Sequence, residues 1–272
     1  MDMTLGVIGT GNMGAALVRG WSRGLSAGAR LLVWDKVPAA MDRLAGTAGV
    51  AVVGSLTQLV AEADVLVMVV KPNDGRELLR SLSASFRAGQ TVVSSMAGVE
   101  LATIRQACGP KPALFRVMPN LGVELGAGMV AVSAEQGAAA DALAAVVELF
   151  DALGTAVVVP ESALDTVTAV SGTGPALLAL AIEGMEDGGV MAGLPRATAR
   201  AFARRAMLGA ARRLVAGETP AEELRRDLQV ACPPVSEGLS LLEEKQVRTV
   251  FEKAVVAAAE RARQMRAPSG AC

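Results

Sequence analysis

Leu5-Gly6-Val7-Ile8-Gly9-Thr10-Gly11-Asn12-Met13-Gly14 is the stretch that decides the fold. Leu5 to Ile8 has the length and apolar character of a buried strand. The glycines Gly9, Gly11 and Gly14 follow in G-x-G-x-x-G register, and Ala15 to Ser26 then reads as a helix. In such a turn one glycine permits the tight bend, one lets backbone approach a pyrophosphate, and one lets the helix pack closely on the strand. The helix N-terminus supplies free N–H groups and the positive end of its dipole to the anion. Asn12 and Met13 lie within this turn and belong to the same candidate site. A second strand, Leu31 to Trp34, ends at Asp35, about twenty positions downstream of the glycines, where a carboxylate meets a ribose hydroxyl. The bland alternative is a glycine turn inside an α/β core with no ligand.

The β–α alternation extends outward from this unit. A helix is expected over Ala39 to Ala45, a strand near Val50 to Val53, a helix over Leu56 to Ala63 and a strand over Val65 to Val70. Further strands are expected at Thr91 to Ser94, Ala113 to Val117, Gly128 to Ser133 and Ala156 to Val159, with helices between several of them. From about Glu161 the strand pattern stops and Ala- and Leu-rich segments take over: Ser162 to Val170, Pro175 to Ala192, Pro195 to Ala216, Pro220 to Leu228, and Val235 to Met265 with a break near Glu244. The expected architecture is α/β, a Rossmann dinucleotide-binding domain over residues 1–160 followed by an all-α domain over 161–272. The tail Ala267 to Cys272 should fray.

Composition narrows the function. Of 272 residues 52% are hydrophobic and 19% charged, enough for a sizeable core. A formal net charge of -1 gives no basic field for nucleic acid. Apolar stretches are interrupted by Gly, Pro or charge, so no membrane span is expected. Met1 to Val18 imitates a signal peptide, but Asp2 replaces a basic start and the glycine motif occupies its apolar centre. Cys108, Cys232 and Cys272 have no metal-ligand spacing and the chain has no His, so no metal site is expected and the compartment reads as reducing cytoplasm. Without His or Tyr, a Ser-His-Asp triad and a His or Tyr proton donor are excluded. The chemistry must lean on a cofactor.

Val70-Lys71-Pro72, Arg116-Val-Met-Pro-Asn120, Val170-Ser-Gly-Thr-Gly-Pro-Ala176 and Ala192-Gly-Leu-Pro-Arg196, with Glu183, Asp187 and Gly189, follow the glycine motif in order. In this combination the chain resembles the pyrroline-5-carboxylate reductases over nearly its whole length. The resemblance implies reduction of the cyclic imine 1-pyrroline-5-carboxylate to L-proline by a reduced nicotinamide, with the helical domain intertwining two subunits in a homodimer or larger homo-oligomer. It implies that Val70, Lys71, Pro72, Met96 and Ala97 line the nicotinamide-ribose side, beside Gly9, Gly11, Asn12, Met13, Gly14, Asp35 and Lys36. The cofactor is expected to be NADP, with NAD open: Asp35 repels a 2′-phosphate and Lys36 attracts one. Asn120, Thr173 and Ser236 are the hydrogen-bonding candidates for catalysis.

Plainer roles compete with each of these. Lys71 reads equally as a solvated lysine at a strand end, Met96 and Met118 as core filler, Asn120 as a backbone cap, and Ser171, Thr173 and Pro175 as the opening of a helix. The sequence also departs from the family. Where the family carries a Ser-Pro-Gly-Gly-Thr-Thr loop, this chain has Ala231-Cys-Pro-Pro-Val-Ser-Glu-Gly-Leu239, which aligns about two residues shorter, lacks the glycine pair and the threonines, and adds Glu237. Pro234 cannot donate to a carboxylate, and Ser236 is the hydroxyl left to replace the threonine. Leu121-Gly122, Leu177 and Leu56 depart too. Two other readings follow: a related reductase for a different cyclic imine, and a dinucleotide-binding protein without catalysis. A hydroxyacid dehydrogenase would be expected to carry a catalytic lysine on its helical domain, whereas Lys245 and Lys253 read as solvated helix-face charges.

Overall fold

The computed structural model describes residues 3–25, 28–217 and 220–265. Ser26, Cys272 and the tail expected to fray lie outside the described residues, as does Asp2. The strands are β1 Thr4–Ile8, β2 Arg30–Trp34, β3 Val50–Val52, β4 Val65–Met68, β5 Thr91–Ser94, β6 Ala113–Pro119, β7 Gly128–Ala134 and β8 Gly154–Val158. Between them run α1 Asn12–Gly24, α2 Pro38–Asp42, α3 Leu56–Glu62, α4 Pro72–Leu82, α5 Leu101–Cys108 and α6 Ala140–Asp151. Among the described residues the last strand ends at Val158, and those that follow are mainly helical: α7 Leu164–Val167, α8 Gly174–Met191, α9 Arg196–Ala216, α10 Ala221–Ala231, α11 Pro233–Glu244 and α12 Val247–Gln264.

One eight-stranded sheet has the order β3-β2-β1-β4-β5-β6-β7-β8. Pairing is parallel from β3 through β6, β6 and β7 are antiparallel, and β7 and β8 are parallel again. The reversal has a simple cause. Only the short 3-10 turn Leu121–Leu125 separates β6 from β7, and a parallel return needs a crossover of about a dozen residues. The chain lays β2 and β3 on one side of β1 and β4 onward on the other, so the crevice at the carboxyl ends opens beside β1.

Each face of the sheet carries its own core. On one, Trp21 of α1 is fully buried, meets Phe150 edge to face at 5.3 Å and donates its indole N–H to the Leu149 carbonyl at 2.8 Å. On the other, Leu59, Leu79, Phe86, Met96 and Ile104 close over Leu66 and Val92.

Internal contacts divide the chain into two compact units, residues 1–172 with 258–272, and Thr173–Ala257. The expected helix Ser162 to Val170 is a 3-10 turn, α7 and a π turn over Thr168–Gly172 in succession. Within the second unit, α8 packs on α9 so closely that a methyl on Gly189 would lie 3.0 Å from the Ala199 methyl. Glu186, buried on α8, accepts from Arg200 Nε at 3.2 Å and Arg204 Nε at 3.1 Å. The expected break in the last helical stretch falls at Lys245 and Gln246, the latter with φ of 54°.

The helical run Glu161–Met191 has 31 residues and is long and apolar enough to cross a membrane by length and composition alone. Pro175 does not interrupt it, because proline in the first turn of a helix forfeits no hydrogen bond.

Candidate active site

Three glycines shape the turn after β1 for different reasons. Gly9 has φ of 95°, and a side chain there would meet the Val69 carbonyl oxygen at 2.3 Å. Its N–H donates to the Trp34 carbonyl at 2.9 Å, while Val69 N–H donates to Ile8, so the turn is stitched to both neighbouring strands. A methyl on Gly14 would lie 1.9 Å from the Gly9 carbonyl oxygen. Gly11 is different: a methyl there meets no heavy atom within 4 Å. Packing within the chain therefore explains Gly9 and Gly14 but leaves Gly11 without an internal reason.

Gly11 borders a cavity of about 610 Å³ at the carboxyl ends of β1, β2 and β4, within the range of small-ligand sites. It is also the N-cap of α1 and brings no capping side chain, so the opening N–H groups at Asn12, Met13 and Gly14 keep their capacity for an anion. Those features fit a dinucleotide pyrophosphate. Asp35 stands at the end of β2, its Oδ2 accepting from Thr10 N–H at 2.6 Å and the Thr10 hydroxyl at 3.2 Å, its Oδ1 from Val37 N–H at 2.9 Å.

Of the expected cofactor residues, Gly9, Gly11, Asp35, Lys36, Val70 and Lys71 line this cavity. Pro72 opens α4 with Lys71 as its N-cap. Met96 is buried behind the wall, where a methyl on Gly75 would lie 2.0 Å from its sulfur. Ala97 is outside the cavity lining and packs with Met118, Ala131 and Leu164.

The sequence reading missed the α4 face. Asp74, Glu77, Leu78 and Ser81 recur at helical spacing along one wall. Lys36 Nζ donates to Asp74 Oδ2 at 2.8 Å. That hydrogen bond and its charge hold the Asp74 carboxyl below the usual carboxylate range and raise the Lys36 ammonium above its own.

The catalytic candidates fall in two places. Asn120 caps the 3-10 turn: its Oδ1 accepts from Gly122 N–H at 3.1 Å and Met129 N–H at 3.3 Å, while its Nδ2 donates to Ser171 Oγ at 2.9 Å. Ser171, in the π turn, is thus a site candidate that sequence reasoning treated only as a helix opener; π turns are rare and concentrate at functional sites. Below it, buried Arg116 pairs with Glu161 at 2.7 Å and reaches the Met96 carbonyl at 3.4 Å. Thr173 is the N-cap of α8.

Ser236 lies in α11, not in a loop. Cys232 alone separates α10 from α11, because the prolines at 233 and 234 suit a helix start. Neither has an N–H, and Val235 N–H is bonded to the Cys232 carbonyl at 3.0 Å. The start of this helix offers an anion almost none of the usual donors.

Relatives match this chain over nearly its full length. A pyrroline-5-carboxylate reductase from Synechocystis is 35% identical over 97% of this chain and 99% of its own. One from Methanosarcina acetivorans is 32% identical over 97% and 98%. This chain belongs to the pyrroline-5-carboxylate reductase family. Residues 161–265 match the family model described as pyrroline-5-carboxylate reductase dimerisation, and residues 4–98 match one described as NADP oxidoreductase, coenzyme F420-dependent. Among solved structures, a pyrroline-5-carboxylate reductase from Coxiella burnetii superposes with a TM-score of 0.87 at 26% identity, covering 97% of this chain and 99% of that one. As a family member the chain is a nicotinamide-dinucleotide oxidoreductase with a Rossmann unit and a helical dimerisation region. Leu178, Leu180, Met185 and Met191 on α8 are exposed in the single chain, as an oligomerising helix requires.

Proposed function

We propose that this protein reduces 1-pyrroline-5-carboxylate to L-proline, taking NADPH or NADH in the cavity beside Gly11. The observation that carries the dinucleotide is Gly11, which lines the cavity and where an added methyl would meet no heavy atom within 4 Å. The substrate assignment rests on the near-full-length relatives of that name.

When bound, the reduced nicotinamide supplies a hydride to the imine carbon. The nitrogen of a cyclic imine that arrives protonated needs no further acid, which suits a chain without His or Tyr. The protein's contribution is then alignment and exclusion of water. Asn120 spends both of its polar atoms on structure and so acts as a positioning residue for the Ser171 hydroxyl. That hydroxyl keeps its own proton to donate. Thr173 and Ser236 are the hydroxyls proposed for the substrate from the helical unit, contributed in a homodimer. Cytoplasm, as a reducing compartment, is the proposed location.

The start of α11 favours a second reading, a related reductase whose cyclic imine lacks the carboxylate, since two prolines remove the donors that would hold it. Purified protein should be assayed for nicotinamide oxidation with 1-pyrroline-5-carboxylate. Turnover of about 1 per second or more upholds the first reading. Bound cofactor without turnover, followed by activity on an uncharged cyclic imine, upholds the second.

A further inference from the structure

The cavity places three carboxylates against two ammonium groups around the space beyond β2: Asp35, Asp74 and Glu77 against Lys36 and Lys71. The dominant sign is negative. Their arrangement matters more than the count. Asp35 is held by three hydrogen bonds, from Thr10 N–H, the Thr10 hydroxyl and Val37 N–H, so it cannot swing aside without breaking them. Lys36, the cation beside it, donates to Asp74 from the facing helix. Glu77 stands one turn further along the same face of α4.

We infer that this cavity discriminates between the two dinucleotides in favour of the one without a 2′-phosphate, with Asp74 as the specificity-determining residue that offsets the charge Lys36 would present to that phosphate. The inference rests on the cavity being the dinucleotide site and goes on to rank its two ligands. A 2′-phosphate carries up to two negative charges and needs a cation or hydrogen-bond donors. Lys36 keeps two further N–H groups, but Asp74 already offsets its charge, and that carboxylate stands near the incoming dianion. A ribose with free hydroxyls makes no such demand, and Asp35 still has lone pairs to accept from them. The pair is exposed, 66% at Lys36 and 45% at Asp74, so its hold is modest and salt-sensitive. NADP is therefore weakened rather than excluded.

Affinity should be measured calorimetrically on the purified full chain with NAD and NADP in oxidised and reduced forms, at low and high salt, without substrate. NAD(H) should bind about threefold or more tighter than NADP(H), a ratio of the size that one exposed ion pair supports. Asp74→Asn should tighten NADP(H) about two- to fivefold, changing NAD(H) less than about twofold. Lys36→Met should weaken what NADP(H) binding there is and leave NAD(H) nearly unchanged. High salt should shrink the difference between wild type and Asp74→Asn. Tighter NADP(H) binding by the wild type, or equal effects of Asp74→Asn on both dinucleotides, overturns the inference while the cavity remains the cofactor site. If neither dinucleotide binds, the reading of the cavity itself fails and the inference with it.

Discussion

Gly11→Ala and Gly14→Ala should fail in opposite ways. A methyl at Gly14 would stand 1.9 Å from the Gly9 carbonyl oxygen. The obstacle is backbone and a Cβ cannot rotate away from it, so the first turn of α1 must move off the loop. Overpacking costs about 1–3 kcal/mol, and a backbone obstacle belongs in the upper part of that range, about 2–3 kcal/mol. A methyl at Gly11 meets nothing within 4 Å, and its backbone, φ -61° and ψ -165°, is extended. Alanine is a poorer helix cap than glycine by roughly 0.5–1 kcal/mol, and the reduced entropy of the unfolded chain, about 0.4–1 kcal/mol, offsets that loss. Stability should therefore stay within about 0.5 kcal/mol of the parent. Dinucleotide affinity should not, since the methyl takes the space left for the pyrophosphate; a loss of at least about tenfold, or about 1.4 kcal/mol, is expected. Urea unfolding without cofactor reads the first quantity and calorimetry with NADH and NADPH reads the second. Gly11→Ala binding both dinucleotides within about twofold of the parent would refute the reasoning that assigns this glycine to a ligand.

Two further outcomes test the frame around the site. Glu161→Ala leaves the Arg116 charge, 3% exposed, without its partner and should cost about 3–5 kcal/mol in urea unfolding; adding Arg116→Met should recover much of that, and a double variant no more stable than the single would show that the pair is not the cause. Burial pushes the Cys108 thiol up to about 12, so with Cys232 and Cys272 changed to Ser it should react with a thiol reagent only as fast as the protein opens. Because the folded value is raised, the stabilisation is complete below the unfolded thiol's pKa of about 8.5 and is lost as pH rises toward the folded value, at a slope of up to about 1.4 kcal/mol per pH unit. A Cys108→Ala variant should lack that alkaline decline.

Whatever depends on near neighbours could be read from the chain before its fold was known. The glycine turn, Asp35 closing β2 and Lys71-Pro72 opening α4 are local patterns of apolar runs, turn residues and caps. The helical region announced itself when the expected strands stopped after Val159. Other parts of the site depend on residues far apart in sequence. Lys36 meets Asp74, Asn120 meets Ser171 and Arg116 meets Glu161 only because the sheet order brings their strand ends and loops together. The wall formed by Asp74, Glu77, Leu78 and Ser81 had a signal, four residues at helical spacing after a proline N-terminus. It went unread because charged residues on a helix face are ordinarily just solvated.

The same accounting of donors that favours a ligand at α1 argues against one at the start of α11. At α1, the N-cap is a glycine without a capping side chain, three N–H groups follow it, and the space in front is open. At α11, two of the first three positions have no N–H and the third is already bonded. An anion bound near the second helix would have to be held by side chains, and a hydroxyl such as Ser236 supplies one donor where a row of backbone groups would supply several. The proposed cofactor site is therefore built from constraints the chain meets in order to fold, while the proposed substrate contacts on the helical unit would rest on a few exchangeable side chains. Changing the imine would require new hydroxyls or cations on the helical unit and no change to the turn after β1, which is why family membership speaks more firmly for the dinucleotide than for the acid it reduces.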